Sequence, residues 1–547
     1  MHENHANVWQ GIAERRPELP AVVAGTRHYD YRTFDEQAGR VAAYFAAQGI
    51  GAGDTVGFYL HNTAEFLIAF YACLKLEATP APMNYRYRAA EIAELVDVAA
   101  PRAFLYRASS RAKVRAAQHL LGERGPQLWL EIDDGEYAKA PQEPGPEGAL
   151  SFEALLQEQP EPLPHRHLSK DAELYIFTGG TTGRPKAVVW GLGDLMDIQE
   201  TSTYTPLGLT PPQTLEQAVD IATDPRTPVV RTLPLAPFIH ATALFMSANT
   251  LNVGGTVVVN PNPSLDADAA ADLAVKHQVT QLVVAGDAVA LPIAEALERH
   301  PERERLAVNS VMSSGMRFGD ETKARLHRLR SLTVMDILAS SEGGPFAMAI
   351  TGSEDDLPAR FRLTADAVVL DDSLRQVQTE VGAKGILAFR GALPKGYLND
   401  PEKSRDTYPV IDGVRHARPG DYVQVLDDGY IEFLGRGSAV INTGGEKVFP
   451  AEVEEVLLEF DGVHDAVVFG LPDQRLGERV SAVVAVDEGA SVTPEALQEW
   501  VGSRLAGYKK PRTIVVRDSL ERTPAGKLNM RRVKETASRA VHGETAS

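Results

Sequence analysis

A dense run of glycine, threonine and basic residues is the part of this sequence best suited to chemistry. It extends from Thr178 to Lys186 and reads Thr-Gly-Gly-Thr-Thr-Gly-Arg-Pro-Lys. Glycines let backbone N–H groups approach phosphate oxygens closely, and hydroxyl groups and a lysine add further donors and positive charge. The residues that offer these groups are Thr178, Gly179, Gly180, Thr181, Thr182, Gly183 and Lys186. The run predicts a phosphate-binding loop, with a plain surface hairpin as the alternative.

This loop differs from the common nucleotide-binding P-loop. That motif ends in Gly-Lys followed by Ser or Thr, whereas here Pro185 precedes Lys186 and Ala187 follows it. A strand-like run at residues 174–177 leads into the loop. The sequence therefore indicates phosphate handling of another type.

Alternating helix and strand signals predict the layers that would position such a loop. In the first hundred residues we predict a helix capped by Thr33 and ending near Gln48, a strand at 54–60, and a helix capped by Asn62 that ends near Leu76. This alternation is typical of an α/β fold with much parallel sheet. Residues 201–228, rich in Thr and Pro, are interpreted as a long excursion or a lid.

The last hundred residues have a different character. Helices are predicted to begin at Pro450 and near Pro494, with strand-like runs at 466–469, 480–486 and 513–516. At 547 residues the chain exceeds one ordinary hydrophobic core. We therefore predict a large domain at 1–435 and a small α+β domain at 436–547, joined near Ser438.

Charge and composition exclude several classes of function. A net charge of −19 argues against nonspecific nucleic-acid binding and against a basic membrane-surface protein. No uninterrupted apolar run is long enough to predict a membrane span. Cys73 is the only cysteine, which excludes an internal disulfide and favours a reducing, cytoplasmic compartment. Its amphipathic surroundings favour a buried structural cysteine over a nucleophile.

Six motifs in one order resemble those of the adenylate-forming superfamily, which contains acyl-CoA synthetases, peptide-synthetase adenylation domains and luciferases. Besides the glycine-threonine loop they are residues 234–240 (Pro-Leu-Ala-Pro-Phe-Ile-His), Ser340-Ser341-Glu342, Gly420-Asp421 with Gly429-Tyr430-Ile431, Gly435-Arg436 through Glu454, and Pro524-Ala525-Gly526-Lys527. They span nearly the whole chain. The resemblance implies an acyl-CoA ligase that uses ATP, CoA and Mg²⁺, with a large α/β N-terminal domain of layered sheets and helices and a small mobile C-terminal domain.

The resemblance also implies roles in a first half-reaction, in which a carboxylate attacks the α-phosphate of ATP. Lys527 would bridge these two anions, with a solvated lysine as the alternative. Glu342 would hold Mg²⁺, or would instead be a carboxylate at a helix start. Asp421 would bind the ribose hydroxyls, or only form a turn. The other nucleotide-binding residues implied are Gly315, Leu338, Ala339, Ser340, Ser341 and Arg436, of which Arg436 has an interdomain ion pair as its alternative.

In the second half-reaction a thiol displaces AMP. By resemblance, the C-terminal domain rotates about Ser438, and CoA lies along a loop formed by Gly444, Gly445, Glu446 and Lys447. His240 would line or gate the acyl pocket, or be an ordinary core histidine. Lys509 and Lys510 would attract CoA phosphates, or form a solvated pair.

The sequence departs from the superfamily pattern around the nucleotide. Leu338 and Ala339 stand where an aromatic residue and a glycine are usual, Ala187 where glycine is usual, and Met316 where a small residue is common. Ser438 stands where Asp or Lys is often the hinge. Stacking of a base on an aromatic ring contributes roughly 1–3 kcal/mol. We therefore hypothesise slow adenylation, with thioester formation from an acyl-adenylate better preserved.

Two alternatives belong to other classes. One is a noncatalytic protein that binds an acyl nucleotide, although Lys186, Glu342 and Lys527 are retained. The other is a hydrolase, which is disfavoured because the sequence has no Gly-x-Ser-x-Gly motif. The local style of the two glycine loops resembles ligases for long, branched or polycyclic acids, including steroid-type acids. The predicted partners are a small carboxylic acid, ATP and CoA. Free CoA is favoured over a fused carrier domain because a short segment follows Lys527, and a separate carrier protein and a homodimer are left open.

Overall fold

A computed structural model provides the three-dimensional structure. It describes residues 1–135, 143–158, 161–179, 185–316, 318–371, 373–436, 441–448, 450–487, 489–520 and 530–541. The chain divides into two compact units. The first comprises Met1–Tyr85, Leu95–Phe177 and Ala187–Gly435, and the second comprises Arg86–Glu94, Thr178–Lys186 and the chain from Arg436 onwards.

The elements alternate along most of the chain. The first part contains α1 (His5–Arg15), β1 (Pro20–Ala24), β2 (Arg27–Asp30), α2 (Tyr31–Ala47), β3 (Thr55–Tyr59), α3 (Ala64–Leu76), β4 (Thr79–Pro82), α4 (Ala89–Ala99), β5 (Ala103–Arg107), α5 (Arg111–Leu121), β6 (Leu128–Ile132), β7 (Leu150–Ser151), α6 (Phe152–Glu158), β8 (Glu173–Gly179) and β9 (Pro185–Gly191). The middle part contains α7 (Leu192–Tyr204), α8 (Leu215–Thr223), β10 (Arg231–Pro234), α9 (Ala241–Asn252), β11 (Thr256–Val259), α10 (Ala267–Lys276), β12 (Gln281–Val284), α11 (Gly286–Arg299), β13 (Ser310–Ser314), α12 (Asp320–Leu329), β14 (Thr333–Ser340) and β15 (Gly343–Thr351).

Shorter strands dominate the chain between residues 361 and 436. They are β16 (Phe361–Leu363), β17 (Ala367–Leu370), β18 (Lys384–Phe389), β19 (Gly396–Tyr397), β20 (Val410–Ile411), β21 (Val414–Arg415), β22 (Asp421–Val425) and β23 (Tyr430–Arg436), with α13 (Pro401–Thr407) between β19 and β20. The C-terminal part contains β24 (Ile441–Thr443), β25 (Glu446–Val448), α14 (Pro450–Leu458), β26 (Val463–Asp473), β27 (Gly477–Val486), α15 (Pro494–Arg504), β28 (Thr513–Arg517) and α16 (Met530–Val541).

Two large sheets form the first unit. One has thirteen strands in the order β17-β18-β22-β23-β16-β15-β14-β13-β12-β10-β11-β1-β2, and its stretch from β1 to β14 is parallel. The other is parallel throughout, in the order β4-β3-β5-β6-β7. Helix α3 is buried along its whole length, as expected of a helix whose sequence is apolar on every side. The predicted α/β class is confirmed.

Two of the predicted helix starts are wrong. Helix α2 is capped by Asp30, whose side chain accepts from Thr33 N–H, so Thr33 lies inside the helix. Helix α3 is capped by Thr63 and not by Asn62. In both cases several capping residues stand close together in the sequence, and the tertiary structure determines which one is used.

Residues 201–228 contain helical segments and do not form one long irregular loop. Helix α7 continues to Tyr204, and α8 begins after Thr214, whose hydroxyl accepts from Gln217 N–H. Helix α8 packs on α1, where a side chain at Gly11 would collide with Val219. The segment is therefore anchored over at least the length of α8.

The second unit contains an independent small sheet. Its strands run in the order β25-β24-β27-β26. Strand β28 is outside this order and pairs in parallel with β27. Helices α14 and α15 begin at Pro450 and Pro494 as predicted, because proline has the backbone angle of a helix and needs no N–H partner at the first position. Their apolar residues form one core with β26 and β27.

Two further findings concern individual helices. Across the part of the chain that the structure describes, no helix is both long enough and apolar enough to cross a membrane. Cys73 is fully buried in α3, and burial raises the pKa of its thiol. Both facts about Cys73 agree with its predicted structural role, since a reactive cysteine needs a lowered pKa and access.

Candidate active site

Gly315 and Leu338, two of the predicted nucleotide-binding residues, lie at the carboxyl ends of neighbouring parallel strands. Strand β13 ends at Ser314, which lies opposite Ile337 of β14. Gly315 comes directly after β13, and Leu338 lies one residue beyond Ile337. In open α/β sheets, ligands bind in the crevice outside these carboxyl ends. Gly315 has a positive φ of 83° and open space on its Cβ side.

Glu342 lies in a tight turn between two strands. Ser340 of β14 pairs with Gly343 of β15, and the pairing shifts register between Leu338 and Ser340, where Ala339 lies opposite the three β15 residues 344–346. The Ser340 hydroxyl accepts from the N–H of Glu342 at 3.2 Å. Glu342 therefore does not begin a helix, and that alternative is wrong. Its side chain is only 9% exposed, which requires hydrogen-bond partners for a charged group.

Two aromatic side chains donate hydrogen bonds at this turn, one to the Glu342 carboxylate and one to the backbone of Ser341. The Tyr397 hydroxyl donates to Glu342 Oε1 at 2.9 Å, and the indole Nε1–H of Trp190 donates to the Ser341 carbonyl at 3.0 Å. Both aromatics lie on a small sheet, since β19 pairs with β9 through Tyr397 and Val188. The strand that leaves the glycine-threonine loop is thereby connected to the turn that carries Glu342.

Sequence reasoning missed both Tyr397 and Trp190. Tyr397 is 55 residues from Glu342, and Trp190 is 151 residues from Ser341. No local pattern in the sequence predicts contacts of that range. The structural signal is the buried carboxylate of Glu342. Such a group needs a hydrogen-bond donor, and the Tyr397 hydroxyl is one.

A second tyrosine lies beside this pair. The ring centroids of Tyr408 and Tyr397 are 6.1 Å apart, and the Arg415 guanidinium lies 4.5 Å from the centre of the Tyr408 ring. Burial raises the pKa of Tyr408, and the Glu342 charge adds to this effect. Among the described residues the Tyr408 hydroxyl has no hydrogen-bond partner, so the two tyrosines differ in what their hydroxyl groups do.

The glycine-threonine loop is described at its two ends. Thr178 and Gly179 end β8, and Lys186 lies in β9, whereas Gly180, Thr181, Thr182 and Gly183 lie outside the described residues. Ala187 is completely buried, and its carbonyl accepts from Leu398 N–H at 2.8 Å. The methyl group that distinguishes Ala187 from glycine therefore packs inside the first unit.

Asp421 is the first residue of β22. It is 4% exposed and follows Gly420, whose φ is 100°. Arg436 is the last residue of β23, the strand next to β22 in the large sheet, and only its backbone is described. Asp421 is thus a buried carboxylate at the start of a strand, whereas the alternative was that it only forms a turn.

His240 immediately precedes α9 and is half-buried. The segment before it is held by Asn62, whose amide donates to the carbonyls of Pro234 and Ala236 at 3.1 and 2.9 Å. The Asn62 Oδ1 accepts from Phe238 N–H at 2.7 Å. Asn62 therefore uses its amide to fix the loop that ends at His240.

The predicted CoA loop in the second unit is a β-hairpin turn. Thr443 pairs with Glu446, and the two residues between them, Gly444 and Gly445, have φ values of 58° and 88°. Two central residues with positive φ are typical of a type I′ turn, which glycine adopts without strain. Glu446 is buried and pairs with Arg86 of the same unit. Of Lys447 only the backbone is described.

Lys509 is not the solvated or CoA-facing lysine of the two sequence interpretations. It is 4% exposed and lies 2.7 Å from both Glu91 and Glu452, all within the second unit. Burial by itself would lower the pKa of Lys509, but Tyr87 and the two carboxylates outweigh this and raise it. This lysine is a buried structural cation. Ser438 and Lys527, the predicted hinge and catalytic lysine, lie outside the described residues.

No group of three or more metal-ligating side chains occurs among the residues that the structure describes. A single carboxylate fits Mg²⁺, which keeps several water ligands and is held largely by substrate phosphates. Glu342, buried and oriented by Tyr397, has the ligand chemistry that such a cation prefers. The donor set does not resemble a closed zinc site.

Comparison with known proteins agrees with this geometry. The AMP-binding enzyme family model matches residues 9–398, and the model of the AMP-binding enzyme C-terminal domain matches residues 452–527. A medium/long-chain-fatty-acid–CoA/3-oxocholest-4-en-26-oate–CoA ligase of Mycobacterium tuberculosis is 33% identical over 97% of this chain and 96% of its own. A 3-oxocholest-4-en-26-oate–CoA ligase of Rhodococcus rhodochrous is 32% identical over 98% of this chain and 96% of its own.

Solved structures share the fold. An o-succinylbenzoate CoA synthetase from Bacillus subtilis superposes with a TM-score of 0.76 at 20% identity, covering 97% of this chain and 98% of its own. A fatty acyl CoA synthetase of Mycobacterium tuberculosis gives a TM-score of 0.62 at 24% identity, covering 98% and 99%.

The chain belongs to the family of AMP-binding, adenylate-forming enzymes. Within that family it is an acid–thiol ligase of the AMP-forming acyl-CoA synthetase class, whose members use ATP and CoA. The superfamily and the enzyme class predicted from the motifs are both confirmed.

Proposed function

We propose that this ligase activates bulky hydrophobic carboxylic acids, of the medium- to long-chain or steroid-type polycyclic kind, and transfers them to CoA. The relatives from Mycobacterium tuberculosis and Rhodococcus rhodochrous act on such acids by name, and the similarity extends over nearly the whole chain. The structural observation that carries the proposal is Glu342, a buried carboxylate held by Tyr397 at the carboxyl ends of the parallel strands.

The first step joins the acid to AMP. A carboxylate oxygen of the acid forms a bond to the α-phosphorus of ATP while the bond to the bridging oxygen of pyrophosphate breaks. Both reactants are anions, so groups that offset negative charge accelerate the step. In this proposal Thr178 and Lys186, with Gly179, Gly180, Thr181, Thr182 and Gly183, bind the phosphates, and Lys527 bridges the acid and the α-phosphate.

Other residues orient the nucleotide. Asp421 accepts hydrogen bonds from the ribose hydroxyls, with Arg436 near the same group. Gly315, Leu338, Ala339, Ser340 and Ser341 form the adenine side of the site. Glu342 would hold Mg²⁺, which supplies positive charge to the phosphates when bound. His240 faces the acid, and Asn62 keeps its segment in place.

The second step forms the thioester. The CoA sulfur attacks the acyl carbon of the acyl-adenylate, loses its proton, and displaces AMP. The type I′ turn at Gly444 and Gly445, with Glu446 and Lys447 beside it, presents backbone without side chains to a pantetheine arm. We propose that residues 1–435 bind nucleotide and acid, and that residues 436–547 form a cap that moves about Ser438 between the steps.

A weakened first step is the second candidate function. Leu338 at the carboxyl end of β14 offers no ring for adenine to stack on. Ala187, by contrast, is buried in the core of the first unit, which removes one of the reasons to expect slow adenylation. The hypothesis now depends mainly on Leu338. An acyl-adenylate formed elsewhere would be the preferred substrate in that case.

The decisive experiment is a screen of carboxylic acids with ATP, Mg²⁺ and CoA, in which mass spectrometry follows acyl-AMP and acyl-CoA separately. Formation of both from hydrophobic acids supports the proposed function. Acyl-CoA from supplied acyl-AMP, with little product from the free acid, supports the second candidate. If neither product forms with any acid, the chain is a nucleotide-binding relative without ligase activity. The cytoplasmic location stays a prediction, and a separate carrier protein as acceptor and a homodimer stay open alternatives.

A further inference from the structure

Two buried amide side chains between α7 and α9 have polar atoms without hydrogen-bond partners in the described part of the chain. Gln199 on α7 is 4% exposed, and neither its Nε2 nor its Oε1 has a partner among the described residues. Asn249 on α9 is 3% exposed, and its Oδ1 is likewise without one. Its Nδ2 donates to Ser202 Oγ of α7 at 3.2 Å, which brings the two helices together at this point. Gln199 and Ser202 are three residues apart and share a helix face.

Unpaired buried amides are rare and call for an explanation, because nearly all buried polar side chains in proteins are hydrogen-bonded. Nearby hydroxyl groups on the same helices obey this rule. Thr203 donates to the Gln199 carbonyl at 2.8 Å, and Ser247 donates to the Ala243 carbonyl at 2.8 Å. The unsatisfied atoms at this place therefore belong to the two amide side chains. They are Nε2 and Oε1 of Gln199 and Oδ1 of Asn249.

The surroundings of these amides are apolar and adaptable. Asn249 Nδ2 lies 3.6 Å from the sulfur of Met246, and Met246 forms a buried cluster with Met312, Met335 and Val283. Methionine side chains are flexible and fill irregular spaces, so a cluster of them can reshape around an apolar ligand. Besides Met246 of α9, the cluster lies on β12, β13 and β14, and the carboxyl ends of β13 and β14 carry residues of the candidate active site.

The distance along α9 matches the length of a large acid. His240 precedes the helix and Asn249 lies nine residues later, which corresponds to about 13 Å at the rise of an α-helix. An acid whose carboxylate lies near His240 would bring its far end to the level of Asn249. All of these residues belong to the first unit.

We propose that Gln199 and Asn249 form a polar subsite for a neutral oxygen, a ketone or a hydroxyl, at the end of the acid farthest from its carboxylate. An amide both donates and accepts, so it serves either group. The subsite selects oxygenated bulky acids over their fully hydrocarbon analogues. This inference rests on the proposed function, since it places the acid along α9.

Two pairs of acids test the subsite. One pair is a tetracyclic acid with a ketone on the ring farthest from the carboxylate and the same acid with a methylene there. The other is ω-hydroxydodecanoate and dodecanoate. The ratio of kcat/KM for acyl-CoA formation within each pair is compared between the natural protein, Gln199→Met and Asn249→Leu. Thr203→Val is the matched control, because the Thr203 hydroxyl is already paired with a helix carbonyl.

The expected result is a preference of about 10- to 100-fold for the oxygenated member of at least one pair, which is the size of a buried hydrogen bond's contribution. Gln199→Met and Asn249→Leu lose this preference, and Thr203→Val retains it. Gln199→Met also raises Tm, because an unpaired amide leaves the interior.

Equal use of both members by the natural protein, or a preference that survives in both variants, overturns the subsite. Calorimetric binding of the same acids in the presence of AMP separates this outcome from failure of the proposed function. If no thioester forms but the oxygenated acid binds more tightly and only the two amide variants lose the difference, the subsite is real and the ligase assignment is wrong.

Discussion

At the scale of single residues, Glu342 and its neighbours determine what this site can do. The carboxylate is buried at a strand turn, and its contact with Tyr397 orients one oxygen. A buried charge with a defined partner is more costly to disturb than an exposed one. The neighbouring Tyr408, whose hydroxyl has no partner among the described residues, offers an internal comparison within the same cluster.

Replacement of Tyr397 by phenylalanine removes the hydroxyl that orients Glu342. We expect Tyr397→Phe to lower kcat for acyl-AMP formation about 10-fold and to raise the Mg²⁺ concentration needed for half-maximal rate, with KM for the acid unchanged. Pyrophosphate exchange measured across a Mg²⁺ titration checks this. Tyr408→Phe is the control and should keep both values. A normal Mg²⁺ dependence in Tyr397→Phe would show that the contact is only structural.

Leu338 is the residue that best explains a weak first step. It lies at the carboxyl end of β14 and packs at the edge of an apolar cluster. An aromatic ring there would add stacking on adenine of about 1–3 kcal/mol. We expect Leu338→Tyr to lower KM for ATP about 10-fold in pyrophosphate exchange. Leu363→Tyr, at another partly buried position of the same cluster, should leave that value unchanged. An unchanged KM in Leu338→Tyr would remove the basis for the slow-adenylation hypothesis.

At the scale of elements, a charge network that is buried at Asp35 and Lys75 and exposed at its other end ties the first helices together. Asp35 of α2 lies 2.7 Å from Lys75 Nζ of α3 and 2.6 Å from Nε2 of His165, whose Nδ1 lies 2.7 Å from Glu14 of α1. The hydrogen bond to Asp35 raises the pKa of His165. Burial alone would raise the pKa of Asp35, but the contacts with His165 and Lys75 lower it.

The network predicts a pH-dependent stability. The raised pKa of His165 means that its contribution is fully present below its ordinary value of 6.5 and is lost as the pH rises through the folded-state value. The lowered pKa of Asp35 means that its contribution is lost only in acid. We expect His165→Gln to lower the free energy of unfolding by about 1 kcal/mol at about pH 6 and by less at about pH 9.

Urea denaturation at the two pH values measures this difference. The control is His167→Gln, which changes an exposed histidine two positions away. A loss of the same size at both pH values would mean that His165 contributes through packing and not through its charge.

Helix starts show how much local sequence can predict. The proline-initiated helices α14 and α15 were predicted correctly because one residue type determines the first position. Asp30 and Thr63 were missed as caps because Thr33 and Asn62 stand nearby and have similar propensity. Asn62 instead holds residues 234–238, a contact with a segment more than 170 positions away that local propensity does not encode.

At the scale of the whole molecule, the two half-reactions assign different tasks to different segments of the chain. In the proposed function the first depends on residues of the nucleotide site and on Lys527, and the second on the type I′ turn at Gly444 and Gly445. Substitutions in these two places should therefore separate the steps.

We expect Gly445→Ala to lower acyl-CoA formation from acyl-AMP at least about 10-fold, because a Cβ strains a residue with a φ of 88° and occupies the backbone surface offered to pantetheine. Formation of acyl-AMP should be retained. Lys527→Ala should have the opposite pattern. Single-turnover assays that start from either intermediate measure both.

The control for Gly445→Ala is Gly489→Ala, which changes another positive-φ glycine of the second unit with open space around it. If Gly489→Ala lowers thioester formation equally, general destabilisation accounts for the effect. If Gly445→Ala forms thioester at the normal rate, CoA does not pass along this turn.

The sequence by itself determined the α/β class, because strand–helix alternation depends on residue types at short spacing, and it determined the superfamily and the ligase class through the resemblance of six ordered motifs to known enzymes. Only the tertiary structure decided which side chains support Glu342, that Lys509 is a buried cation, and that the Gln199 amide and the Asn249 Oδ1 have no hydrogen-bond partner among the described residues. These facts depend on contacts between segments far apart in the chain and on burial, which changes the cost of every polar group. The glycine-threonine motif is one of those from which the ligase class was predicted, whereas contacts such as that between Tyr397 and Glu342 were found only in the structure.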